Sequence, residues 1–167
     1  RGKVSVEDYI LFELTKATTD QQLTEQINQI QSPSEIGIIS DAGCPGIADP
    51  GSLLVAWAHK HAIPVVPLPG PSSILLAIMA SGLNGQSFAF NGYLPIDRAE
   101  RKKKIKELER ISKSAKQTQL FIETPYRNDK MLEDLIAVCD KTTLLTVSAD
   151  LTGETEQIIT KPISQWK

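Results

Sequence analysis

Between Glu35 and Ser81 the chain twice passes from a short apolar run through a Gly/Pro-rich loop into a helical stretch. Glu35–Ser40 (EIGIIS) leads into the loop Asp41–Gly51 and then a helix over Ser52–Ala62. Pro64–Leu68 (PVVPL) leads through Pro69-Gly70 into an apolar helix over Pro71–Ser81, with Gly82 as its C-cap. Apolar runs alternating with helices predict an α/β fold, because each run needs a pairing neighbour and each helix needs a sheet face to cover.

The flanking sequence continues the rhythm. Tyr9–Leu14 has strand character, and Thr19 with Gln22 three residues later forms a capping box ahead of the stripe Leu23, Ile27, Ile30. After the Asn84-Gly85 turn, Gln86–Leu94 opens a second region. There follow a charged helix over Arg98–Ala115 with Ile105, Leu108 and Ile111 inward, a strand over Gln119–Glu123, a helix over Tyr126–Val138, a strand over Thr143–Ala149 and a closing run Glu156–Thr160. The turn divides the chain into two lobes, 1–84 and 85–167, with a cleft expected where strand ends meet. An apolar content of 41% is enough for a core. No apolar run approaches the ~20 residues that span a bilayer. Cys44 and Cys139 lie far apart without metal-ligand spacing, which suits a reduced, cytoplasmic protein. The chain lacks an initiator Met and stops in mid-pattern at Trp166-Lys167, so it reads as a piece of a longer protein.

The first loop, SDAGCPGIADPG (Ser40–Gly51), packs three Gly, two Pro and two Asp directly after an apolar run. Glycine permits positive φ and close backbone approach, and proline stiffens the loop, so main-chain groups are presented in fixed directions. Such a loop suits a small polar ligand; it also suits a tight connection in which Asp49 caps the next helix. In the second loop Ser72 and Ser73 stand where a helix N-terminus presents free N–H groups and partial positive charge, a seat for a carboxylate or hydroxyls. Plain capping by one serine is the alternative. Glu123-Thr124-Pro125-Tyr126-Arg127 places charged groups at a strand end, consistent with a Glu–Arg ion pair across a Thr-capped, Pro-started helix.

Arg98–Lys116 holds nine Lys/Arg against three Glu, leaving nine basic and seventeen acidic residues elsewhere, a balance of −8 in a chain of formal charge −2. That separation makes contact with a polyanion plausible, with Lys102 and Lys106 on one face and Arg101 and Ile105 turned toward the core. Other chemistries drop out. Neither a dinucleotide fingerprint nor a P-loop is present, His59 and His61 are i, i+2 and share no face, and no serine sits in a G-x-S-x-G context. Cys44 has no histidine near it in sequence to activate it, and no metal is called for.

The motifs together resemble a known family. SDAGCPGIADPG is similar to the S-D-A-G-T-P-x-I-S-D-P-G signature of the tetrapyrrole methylase (corrin/porphyrin methyltransferase) superfamily, on its branch of ribosomal RNA small-subunit methyltransferase I. VVPLPGPSSILLAIMASGL, FAFNGYLP, LFIETPYR and LTGETEQII resemble that branch's further blocks in the same order. Cys44 stands for the usual Thr, Gly46 and Ala48 for bulkier or hydroxylated residues, and Thr124 and Tyr126 for Ser and His. The family's opening strand with its Pro-rich turn, and the A-E-D-T-R-type segment after it, have no counterpart.

The resemblance implies a two-lobed α/β tetrapyrrole-methylase fold, usually a homodimer, with S-adenosylmethionine (SAM) bent in the cleft between the lobes. It assigns cofactor contacts to Gly43, Cys44, Pro45, Gly46 and Ile47, to Ser72 and Ser73, to Phe121 and Ile122, and to Ala149, Asp150 and Leu151. The implied activity is methyl transfer to an RNA ribose 2′-hydroxyl in rRNA processing, with RNA of the small ribosomal subunit as partner through Arg98–Lys116. A hydroxyl acceptor must lose its proton, and Asp41 or Glu123 could take it. Alternatives are methylation of a tetrapyrrole or another small molecule, and a SAM- or RNA-binding module without turnover.

Overall fold

The computed structural model describes residues 7, 9–30, 35–40 and 43–167. They divide between two compact units, Arg1–Pro71 and Ser72–Lys167. In the first, helix α1 (Asp20–Asn28) starts at Thr19, whose hydroxyl accepts the Gln22 N–H at 3.2 Å while the Gln22 side-chain oxygen accepts the Thr19 N–H at 2.9 Å. This is the expected capping box. Leu23 is buried beneath it. Helix α2 (Ser52–Lys60) is tied to α1 by the Trp57 indole N–H, which donates to the Thr24 hydroxyl at 3.1 Å, and by a Lys60–Asp20 ion pair.

Three runs expected as strands, Tyr9–Leu14, Glu35–Ser40 and Pro64–Leu68, form no ladder among the described residues. Extended propensity alone does not make a strand; its N–H and C=O groups need a partner in register. Ile39, Val66 and Leu68, side chains that a sheet face would bury, are exposed.

The second unit carries the four strands found among the described residues. Helix α3 (Ser73–Ser81) ends at Gly82, which takes the left-handed conformation (φ 70°) expected of its C-cap. The Thr160 hydroxyl donates to the Ser81 carbonyl at 2.8 Å, which secures α3 in this unit and puts the division between units ahead of the Asn84-Gly85 turn. Strand β1 (Phe88–Tyr93), helix α4 (Arg98–Ala115) and strand β2 (Thr118–Ile122) make a parallel crossover, the connection that parallel neighbours require. Phe88 pairs with Thr118 and Phe90 with Leu120; the register then slips before Tyr93–Ile122, where Gly92 has φ 61°. A short 3₁₀ turn, Pro125–Arg127, leads into helix α5 (Asn128–Val138). Strands β3 (Leu144–Ala149) and β4 (Gln157–Pro162) pair antiparallel, from Leu144↔Pro162 to Ala149↔Gln157. The mixed helix and strand order is the expected α/β class.

Leu94, Ile105, Leu108, Met131, Leu135 and Ile163 form the core of this unit, with Phe121 packed against it. Within it lies a buried ion pair, Asp134 with Arg101. Asp134 on α5 is fully buried and accepts from Arg101 Nε at 2.9 Å and Nη2 at 2.7 Å, and from Arg98 Nε at 2.9 Å. Burial pushes the Asp134 carboxyl up, but the hydrogen bonds from Arg98 and Arg101 outweigh it and hold it below the usual carboxylate range. Arg101 also donates through Nη1 to the carbonyls of Pro95 and Ile96, fixing the link from β1 to α4.

Candidate functional site

The Gly/Pro loop is built around Asp49. Its Oδ2 accepts the N–H groups of Gly46 at 3.2 Å and Gly51 at 3.1 Å, and its Oδ1 accepts the Ser40 hydroxyl at 3.0 Å. Asp49 therefore clasps the loop; the N-cap of α2 is Gly51, which has no side-chain cap. A Cβ at Gly51 would lie 3.1 Å from both Asp49 Oδ2 and the Gly46 nitrogen, so glycine is the residue that lets the clasp close. Gly43 (φ 84°) and Gly46 (φ 81°) both need the left-handed region. Apart from its chain neighbours, no atom of the described residues lies within 4 Å of a Cβ built on Gly43, so there is space beside it. Cys44 donates its S–H to the Pro71 carbonyl at 3.5 Å, the Ile47 N–H returns to the Cys44 carbonyl, and the Pro45 and Ile47 side chains are exposed.

The backbone N–H groups of Gly51 and Gly46, followed by the Ser40 hydroxyl, hold the Asp49 carboxyl below its ordinary range. A carboxyl lowered in the folded state contributes order that is complete above about pH 4 and is lost as pH falls through the lowered folded value. The amide resonances of Gly46 and Gly51, followed by NMR down an acid titration, are expected to move together in that window. Amides that keep their shifts throughout would show that Asp49 does not hold the loop.

Ser72 is the N-cap of α3, yet its hydroxyl makes no capping bond, so the amides of the first turn are not taken by a serine side chain. Phe121 and Ile122 end β2, and the Phe121 side chain packs against the core. Ala149 ends β3, and Asp150 (φ 50°) and Leu151 open a tight turn in which Asp150 accepts from the Thr155 hydroxyl and N–H. Those two bonds hold the Asp150 carboxyl low. A Cβ on Gly153 would fall on the Asp150 carboxylate, which would then have to shift from its place against Thr155.

Of the two carboxylates considered as a base, Asp41 lies outside the described residues. Glu123 is nearly buried and meets the Arg127 guanidinium at 3.0 Å, while its Oε1 accepts the Thr124 N–H at 2.8 Å. Arg127 also donates to the carbonyls of Leu94 and Pro95 at 3.2 and 3.3 Å. The Glu–Arg pair thus locks the end of β2 to the end of β1. Burial pushes the Cys139 thiol up to about 11, which keeps it protonated and unreactive at neutral pH. Sequence reasoning missed the Asp49 clasp and the Asp134 cluster. Asp49, three residues beyond Gly46 and two before Gly51 in a glycine-rich loop, was the available signal for the first; the second had none.

The family model described as Tetrapyrrole (Corrin/Porphyrin) Methylases matches residues 8–166. The chain is 34% identical over 154 residues to ribosomal RNA small subunit methyltransferase I of Vibrio cholerae, covering 92% of this chain and 52% of that protein. It is 32% identical over 155 residues to the protein of the same name from Escherichia coli O157:H7, covering 93% and 53%. The Halalkalibacterium halodurans protein of that name is 40% identical over 103 residues, covering 62% and 34%. The chain spans about half the length of the first two of these curated relatives. The crystal structure of the methyltransferase CobJ matches in fold, with a TM-score of 0.50 at 19% identity, covering 75% of this chain and 56% of that one.

Proposed function

The chain belongs to the tetrapyrrole (corrin/porphyrin) methylase family, and from that premise we propose that the protein is a SAM-dependent methyltransferase acting on a ribose 2′-hydroxyl of small-subunit ribosomal RNA. The observation that carries the cofactor assignment is the clasped loop. Asp49 clasps it, two glycines hold positive φ, and the described residues leave space beside Gly43. The residues fit a small zwitterion bearing a sugar and a base. By the family resemblance, Gly43, Cys44, Pro45, Gly46 and Ile47 would be among its contacts. The α3 amides beside Ser72 and Ser73 suit its carboxylate, and backbone groups at Phe121-Ile122 and Ala149–Leu151 complete the set. When bound, the group would supply an electrophilic methyl on a sulfonium.

What the chain must add is alignment, which in model reactions contributes up to ~7–11 kcal/mol, and a place for the acceptor's proton. Glu123, committed to Arg127 and Thr124, suits positioning of the strand ends. Asp41, outside the described residues, is the other carboxylate proposed for the base. The family resemblance further supports a cytoplasmic homodimer, and exposed apolar side chains such as Val66, Leu68 and Met79 are available for such contact. No helix among the described residues is long and apolar enough to cross a membrane. The names of the relatives and the charge of α4 support RNA over a tetrapyrrole as acceptor, since a small acceptor gives no reason for a basic helix.

Calorimetry on the complete protein tests the cofactor. SAM and S-adenosylhomocysteine are each expected to bind with a dissociation constant of micromolar order. Absence of both heat and a melting shift at millimolar ligand would overturn the assignment.

A further inference from the structure

Helix α4 sorts its cations into two groups. Arg98, Arg101 and Lys102 all approach Asp134, the last at 3.5 Å; Lys104 pairs with Glu107 at 3.2 Å; Lys113 pairs with Glu109 and Asp140. Lys103, Lys106 and Arg110 have no carboxylate partner among the described residues, and all three are exposed. Successive helical residues are about 100° apart, so these three fall within about 60° of one another, along about 10 Å of the helix. Arg101, Ile105 and Leu108, which are buried, lie on the opposite side. Lys102, expected to share the outward face with Lys106, is instead drawn toward the buried carboxylate.

Such a stripe does nothing for the fold. Lys103 and Lys106 are i, i+3 and Lys106 and Arg110 are i, i+4, spacings at which like charges repel. A row of phosphates would relieve that repulsion. We propose that Lys103, Lys106 and Arg110 seat the phosphate backbone of the RNA acceptor, recognising charge rather than sequence; this rests on the RNA reading above.

The test is a salt series of fluorescence-anisotropy titrations with a fluorescein-labelled single-stranded RNA oligonucleotide of mixed sequence. It compares the complete wild-type protein, the triple variant K103Q/K106Q/R110Q and the control K104Q. Each lost phosphate contact removes about 0.7 from the log–log salt slope, so the triple variant is expected to lose about 2 and the control nothing. SAM binding by calorimetry should not change in either. Glutamine is a good helix former, and the three single variants, each expected to lose about 0.7, carry the test should the triple variant melt early. An unchanged slope in the variants, with RNA still bound, overturns the stripe and leaves the RNA acceptor standing. Failure of the wild type to bind RNA, with SAM heat intact, overturns the acceptor and the stripe together.

Discussion

Replacing Asp134 with Ala is expected to destabilise the protein by about 3–5 kcal/mol, the cost of stranding a buried charge when its partner is removed. The stranded group is Arg101, whose side chain is 7% exposed and cannot turn to water. Its Nη1 bonds to Pro95 and Ile96 would survive, but Nε and Nη2 would lose their only acceptor among the described residues. Arg98 offers the contrast. Its side chain is 64% exposed, so Arg98→Ala should cost below about 1 kcal/mol, as exposed ion pairs do. Urea denaturation separates the two: the midpoint should fall far for Asp134→Ala and little for Arg98→Ala, with the slope unchanged. Because the Asp134 carboxyl is lowered in the folded state, its contribution is present above the unfolded value and disappears as pH falls through the folded one. The gap between wild type and Asp134→Ala should therefore close in acid. Equal costs for the two variants at neutral pH would mean that Asp134 is not the pin between α4 and α5.

Gly46→Val is expected to weaken SAM binding by about 5- to 150-fold while the protein stays folded. A Cβ at Gly46 has ordinary room, its nearest neighbour being the Ser52 nitrogen at 3.8 Å, so collision within the protein is not the cause. The cause is the backbone: φ is 81°, where a β-branched residue is a genuine outlier. Strain of about 1–3 kcal/mol would turn the loop out of shape or be drawn from the binding energy. Gly43→Val adds a second effect, since its side chain would enter the space that the described residues leave beside the loop. Cys44→Thr, by contrast, should bind normally, because Thr is the residue usual in the family. Calorimetry on the three variants decides the matter. Loss of binding in Cys44→Thr with Gly46→Val unaffected would place the ligand elsewhere.

What was legible in the sequence is what depends on a few neighbouring residues. The Thr19–Gln22 box, the Gly82 cap and the span of α4 from Arg98 to Ala115 appear as expected, because caps and helices close their hydrogen bonds within four positions. The glycine-rich loop was visible for the same reason, since Gly43 and Gly46 occur where the chain needs positive φ. The family motifs added the proposal of SAM as the ligand, which no spacing alone supplies.

Pairing across the chain was not legible. Tyr9–Leu14, Glu35–Ser40 and Pro64–Leu68 have strand composition, but a ladder requires a partner that composition does not name. The nine basic residues from Arg98 to Lys116 form one undifferentiated run on paper. Only the packing of α4 against α5 brings Asp134 under Arg98, Arg101 and Lys102, and by using those charges leaves Lys103, Lys106 and Arg110 facing water. A carboxylate more than thirty residues away takes up Lys102 along with Arg98 and Arg101, and that distance in sequence is closed by apolar burial of Ile105, Leu108, Met131 and Leu135 rather than by any local signal.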